Sequence, residues 1–150
     1  QENGLRSGTE ATAQIAAFAA AAKAGRAAME EDTARMLELK DRAASLLQTR
    51  VPGLKRIGEG AAPHILAVTM PGYKSEVVVR FLSDRGVYVS SGSACHKGKP
   101  SHVYASLGLP KKELDGALRI SLSYDTTPED ITALAEGLEA AHRELFTALS

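Results

Sequence analysis

The run Ser90-Ser91-Gly92-Ser93-Ala94-Cys95-His96-Lys97-Gly98-Lys99 holds the residue types and spacing best suited to chemistry. Cys95 is the sole cysteine, so no internal disulfide framework is open to the chain. With no Cys/His cluster around it, Cys95 is also a poor metal ligand, and no metal site is expected. A lone cysteine is most often a small buried hydrophobe. Its neighbours argue for another role. Gly92, Gly98 and the small residues between them describe a solvent-reachable loop, and His96, Lys97 and Lys99 bring positive charge beside the sulfur. Positive charge favours thiolate over thiol, and thiolate is the form that attacks electrophiles. The residues point to a reactive thiol without naming its reaction. Arg119 and Thr9 are silent by themselves: the first reads as a strand-surface arginine paired with an acid, the second as part of a helix cap.

Those residues need elements to hold them. Ser7 with Glu10 three residues later reads as a capping box, so a helix is expected just after Ser7, running to about Lys23 and punctuated by Gly25. Ile15 and Phe18 give it only a thin apolar face. A second helix is expected from about Ala27 to Thr49, with Met36, Leu39, Ala43, Leu46 and Leu47 at helical spacing and Pro52-Gly53 ending it. Leu54–Glu59 and His64–Met70 read as paired strands, and Ser75 to Leu82 as a short helix. Val87-Tyr88-Val89 reads as a further strand, followed by the cysteine loop and a small helix capped by Ser101. In Ala117–Ser123, Leu118, Ile120 and Leu122 alternate with Arg119, Ser121 and Ser123, the period of a half-buried strand. Thr127-Pro128-Glu129-Asp130 starts the last helix with a capping Thr, a Pro at the first helical position and acids in the first turn. The fold class expected is α+β: a small, mostly antiparallel sheet with helices packed on one side, preceded by two helices.

At 150 residues the chain fits one ordinary domain, and 18 basic against 18 acidic side chains leave no formal net charge. A nucleic-acid or anionic-membrane binder needs a basic excess to displace counterions, so neither partner is expected. No run of about 18 apolar residues spans a membrane, and a signal peptide is not evident. The expected setting is cytoplasmic.

The cysteine motif, followed by Ser101-His102-Val103 and Leu107-Gly108-Leu109, resembles the active-site segment of cysteine desulfurases, members of the class V aminotransferase group of pyridoxal-phosphate enzymes. The resemblance extends through Gly116-Ala117-Leu118-Arg119-Ile120-Ser121 and Asp125-Thr126-Thr127-Pro128-Glu129-Asp130-Ile131, and back to Leu5-Arg6-Ser7-Gly8-Thr9. It implies that Cys95 is the nucleophile and sulfur carrier, that Arg119 holds the substrate carboxylate, and that Thr9 contacts the cofactor phosphate of the partner subunit in a homodimer. L-cysteine is then the substrate, and a sulfur-acceptor protein such as an iron–sulfur scaffold receives the persulfide. A small domain of the pyridoxal-phosphate transferase fold follows from the same likeness.

The family's Schiff-base lysine, carried in a larger domain ahead of the Arg-Ser-Gly-Thr stretch, has no counterpart here. His96-Lys97-Gly98-Lys99 imitates that motif but follows the cysteine, and so belongs to the sulfur loop. The chain therefore reads as the C-terminal part of a desulfurase: residues 1–26 trailing from the large domain, 27–50 a connecting helix, 51–150 the small domain. Alone, it is expected to be inactive. The alternative is a non-enzymatic thiol or persulfide relay module, which needs only an exposed, acidified Cys95.

Overall fold

The structure, a computed structural model, describes residues 2–5, 7–91 and 102–147. The chain divides into two compact units, residues 1–32 and 33–150. A short 3-10 turn, Glu2–Gly4, opens the first. Helix α1 then runs Thr12–Arg50 without interruption. Two expectations are corrected here. The helix starts at Thr12 rather than just after Ser7, because Gly8 has a φ of 102°, which no right-handed helix accommodates. Nor does Gly25 divide it. An interior glycine costs about 1 kcal/mol relative to alanine, and the alanines around Gly25 are the strongest helix formers, so one continuous helix replaces the expected pair. In the first unit Ile15, Phe18 and Met29 are exposed.

The second unit is built on a three-stranded antiparallel sheet in the order β1 (Lys55–Arg56), β2 (Ile65–Thr69), β3 (Ala117–Ser121). The first expected strand is thus shortened to two residues. The register sets Leu66 opposite Ile120, Ala67 opposite Arg119 and Val68 opposite Leu118. Period-two alternation then sorts the side chains. Leu66, Val68, Leu118 and Ile120 point into the main core with Leu39, Ala43 and Leu47 of α1, Val78 and Leu82 of α2 (Ser75–Ser83), and Ile131, Leu134 and Leu138 of α5 (Pro128–Glu144). The start of α5 is the one expected: the Thr127 hydroxyl accepts from the Asp130 N–H, and the Asp130 carboxylate accepts from the Thr127 N–H.

The opposite sheet face has a smaller apolar cluster of Ile57, Tyr104 and Ala117, with Ala67, Leu109 and Leu114 half-buried beside it. Short helices α3 (His102–Ser106) and α4 (Lys111–Asp115) supply Tyr104 and Leu114. The long helices cover one face as expected; these two short ones add cover on the other. Gly116, between α4 and β3, is a place for glycine alone. A Cβ there would lie 2.1 Å from the Met70 carbonyl oxygen.

The expected strand Val87–Val89 is reduced to a single bridge. The Val87 N–H is taken by the Leu82 carbonyl at the end of α2, which withdraws it from the ladder. The segment meets the free edge of β3 only at Ser90, which pairs antiparallel with Arg119. Between residues 86–89, β3 and the start of α5 a cleft of about 240 Å³ remains.

Candidate functional site

Arg119 is the charged residue that β3 sets on the less covered sheet face. Strand alternation places it there between Ala117 and Ser121, and the register puts the small Ala67 directly across from it. Ser90 holds its main chain through both bridge bonds: the Arg119 N–H donates to the Ser90 carbonyl at 2.7 Å and the Ser90 N–H to the Arg119 carbonyl at 3.1 Å. The guanidinium Nη2 also donates to the Ser90 hydroxyl, over a long 3.4 Å.

The guanidinium is otherwise underused. Among the described residues no carboxylate pairs with Arg119, and its buried Nε–H has no hydrogen-bond partner. The expected acid of a surface arginine is absent from its described surroundings. Elsewhere in the second unit, Lys55 pairs with Glu113 at 2.6 Å and Lys74 with Asp115 at 2.5 Å. An unsatisfied buried donor costs about 1–3 kcal/mol, and arginine stays charged at any ordinary pH. A half-buried, permanently charged fork with an idle donor is matched in chemistry to a carboxylate, which accepts from two guanidinium N–H groups at once. Tyr104 of α3 reports the same field. Burial pushes its hydroxyl above the usual tyrosine range, and the positive charge of Arg119 pulls it partly back.

Of the three residues singled out by resemblance, Arg119 alone is located at a site. Cys95 lies outside the described residues, as do His96, Lys97, Lys99 and the expected cap Ser101. Residues on both sides of their segment are described, and Ser90, just ahead of it, is hydrogen-bonded to Arg119. Cys95 stands five positions after Ser90, a tether of at most about 18 Å when fully extended. Thr9 is exposed, three residues ahead of the first residue of α1. It belongs to the first compact unit and Arg119 to the second.

Lys40 is a buried group that the sequence reading passed over. Only 2% exposed, it donates from Nζ to the carbonyls of Gly60 (2.6 Å) and Ala62 (2.7 Å), tying the turn between β1 and β2 to α1. Burial holds its ammonium below the ordinary lysine range; Arg56 adds to that push and Asp41 opposes it. The signal was available, since Lys40 stands four residues after Met36 and three before Ala43, within the apolar stripe of α1. Both hydrogen bonds go to the backbone of one turn, so its described role is to hold that turn.

Comparison with known proteins gives the family of the chain. The family model of aminotransferase class-V matches residues 1–134. The chain belongs to that family. Cysteine desulfurase IscS of Clostridium botulinum is 33% identical over 144 residues, an alignment covering 92% of this chain and 36% of the relative. A cysteine desulfurase of Gluconacetobacter diazotrophicus is 31% identical over 152 residues, covering 97% of this chain and 38% of the relative. Among solved structures, a NifS-like protein superposes with a TM-score of 0.82 at 28% identity, over 97% of this chain and 37% of that one. The chain thus spans little more than a third of the length of the relatives it matches. The expected fold, that of a pyridoxal-phosphate transferase small domain, agrees with the last of these likenesses.

Proposed function

We propose that this chain is the carboxylate-binding and sulfur-carrying part of a cysteine desulfurase. The observation that carries the reading is the Arg119 guanidinium, half-buried without a described carboxylate partner and hydrogen-bonded to Ser90, just ahead of the segment that carries Cys95. Curated relatives named cysteine desulfurase support it. In this reading Arg119 receives the α-carboxylate of L-cysteine through two parallel N–H···O bonds, which fixes the direction in which the substrate's sulfur points. The Cys95 thiolate, favoured by His96, Lys97 and Lys99, attacks that sulfur. The substrate C–S bond breaks as an S–S bond forms; the substrate carbon takes up a proton and leaves as L-alanine, and Cys95 retains the sulfur as a persulfide. An acceptor protein, such as an iron–sulfur scaffold, then takes it. We place the reaction in the cytoplasm, where a carrier thiol stays reduced.

When bound, pyridoxal phosphate supplies the electron sink that this cleavage requires. The described lysines do not fit its covalent attachment. Lys40 is spent on two carbonyls, Lys55 and Lys74 on carboxylates, and Lys23, Lys111 and Lys112 are exposed. What the chain offers toward the group is Thr9, whose exposed hydroxyl suits a phosphate oxygen across a homodimer interface. Lys97 and Lys99 belong to the sulfur loop in this reading, so we assign attachment to a lysine outside this chain, and the chain alone is expected to release no alanine from cysteine.

The test supplies the missing part. The chain is incubated with L-cysteine, pyridoxal phosphate and a separately expressed lysine-bearing domain of a cysteine desulfurase. Alanine should appear and the Cys95 peptide should gain one sulfur atom by mass spectrometry, with neither change for Cys95→Ser. Alanine production undiminished by Cys95→Ser would overturn the assignment of the carrier. Alanine from the chain alone would overturn the statement that its lysines do not serve the cofactor.

A further inference from the structure

We propose that Ser90 is the positioning residue of Arg119, presenting its guanidinium to a carboxylate and tying that presentation to the start of the cysteine segment. The inference rests on the reading of Arg119 as the carboxylate clamp. Three hydrogen bonds join the two residues: both main-chain bonds of the bridge, at 2.7 and 3.1 Å, and the 3.4 Å contact from Nη2 to the Ser90 hydroxyl. This is the sole described contact between β3 and the chain that leads into the cysteine segment that uses strand pairing, since Val87 is already bonded to Leu82.

The geometry gives the hydroxyl a specific task. Nη2 and Nε carry N–H groups on the same edge of the guanidinium, and that edge forms one of its two-pronged carboxylate sites. In the resting structure one prong leans on the Ser90 hydroxyl at long range and the other, Nε–H, is idle. A contact this long restrains the fork without satisfying it. Ser90 keeps the edge oriented without satisfying either prong, and its hydroxyl can itself donate to the arriving carboxylate. Ala67 across the strand leaves the neighbouring space small-sided, so no side chain on β2 substitutes for Ser90 in this restraint.

The experiment follows the Arg119 Nε–H resonance of the 150-residue chain by NMR while L-alanine, a carboxylate-bearing probe, is added into the millimolar range. In the parent chain the resonance shifts with saturation. Ser90→Ala is expected to weaken binding about three- to tenfold, the loss of one hydrogen bond, and to alter the Nε–H line before any probe is added. Ser90→Thr, which keeps the hydroxyl, should restore both. Arg119→Lys, which lacks the Nε–H and is read through the Ser90 backbone amide, should abolish binding. Backbone amide spectra of all variants confirm that each is folded. If Arg119→Lys binds as the parent does, or the parent shows no shift, the clamp reading fails and the inference falls with it. If Arg119→Lys abolishes binding while Ser90→Ala matches the parent in affinity and in its Nε–H line, the clamp stands and the positioning role of Ser90 is overturned.

Discussion

The two faces of the small sheet use one backbone for opposite purposes. On one face Leu66, Val68, Leu118 and Ile120 are each no more than 5% exposed and are locked beneath α1, α2 and α5. On the other, the residues that alternate with them are Ala67, Thr69, Ala117 and Arg119, and the cover is two five-residue helices, one carrying a buried tyrosine. The first face is closed by apolar packing and leaves little unmet. The second retains a charged fork with an idle donor. Apolar packing is concentrated on one side of β3 and the unmatched charge on the other, and adjacent residues of a single strand supply both.

Substitutions can break or sharpen that contrast. Leu118→Ala, on the closed face, should have the largest effect, lowering unfolding free energy by about 2–5 kcal/mol. Its neighbour Arg119→Leu should change the same quantity by less than about 1 kcal/mol, since it removes an unsatisfied donor along with the charge. Both are read by urea unfolding followed by circular dichroism. A large loss at Arg119 would mean that the second face is structural as well.

A pH effect sharpens the picture. The Tyr104 hydroxyl is raised above its ordinary value of 10.0 in the folded chain. The folded state thus keeps a proton that the unfolded state has begun to release. The stability tied to it is intact below about pH 10 and is lost as pH rises through the folded value. Tyrosinate absorbance should show a late titration that Tyr104→Phe removes. Arg119→Leu should move it later still, because the charge that eases ionisation is gone. An unchanged titration in Arg119→Leu would separate the two residues. The smallest effect belongs to the exposed pair at the edge of the second face: Lys55→Ala should cost about 0–1 kcal/mol, measured by the same unfolding experiment and shrinking with added salt.

Much of this division is legible in the chain. Alternation in Ala117–Ser121 places Leu118 and Ile120 inside and Arg119 outside, and the Thr127–Asp130 capping box marks the start of α5. Local signals failed where a distant or stronger influence acted. Gly25 reads as a stop, but the propensity of the alanines beside it carries α1 through. Val87–Val89 has strand-like residues, but the Leu82 carbonyl captures Val87 first. Lys40 was passed over: its place in the apolar stripe of α1 was legible, but the carbonyls of Gly60 and Ala62, which make its burial tolerable, lie about twenty residues further along the chain.

The candidate site divides in the same way. Residue types and their order were enough to single out Cys95, because nucleophilicity is a property of a short segment; Arg119 and Thr9 stood out only through the family resemblance. That Arg119 lacks a described acid, that Ala67 stands opposite it, and that Ser90 grips it from the edge of the sheet were decided only by tertiary structure. Each of those facts depends on strand register and on residues tens of positions apart meeting in space, and local periodicity carries no information about which distant group will be there.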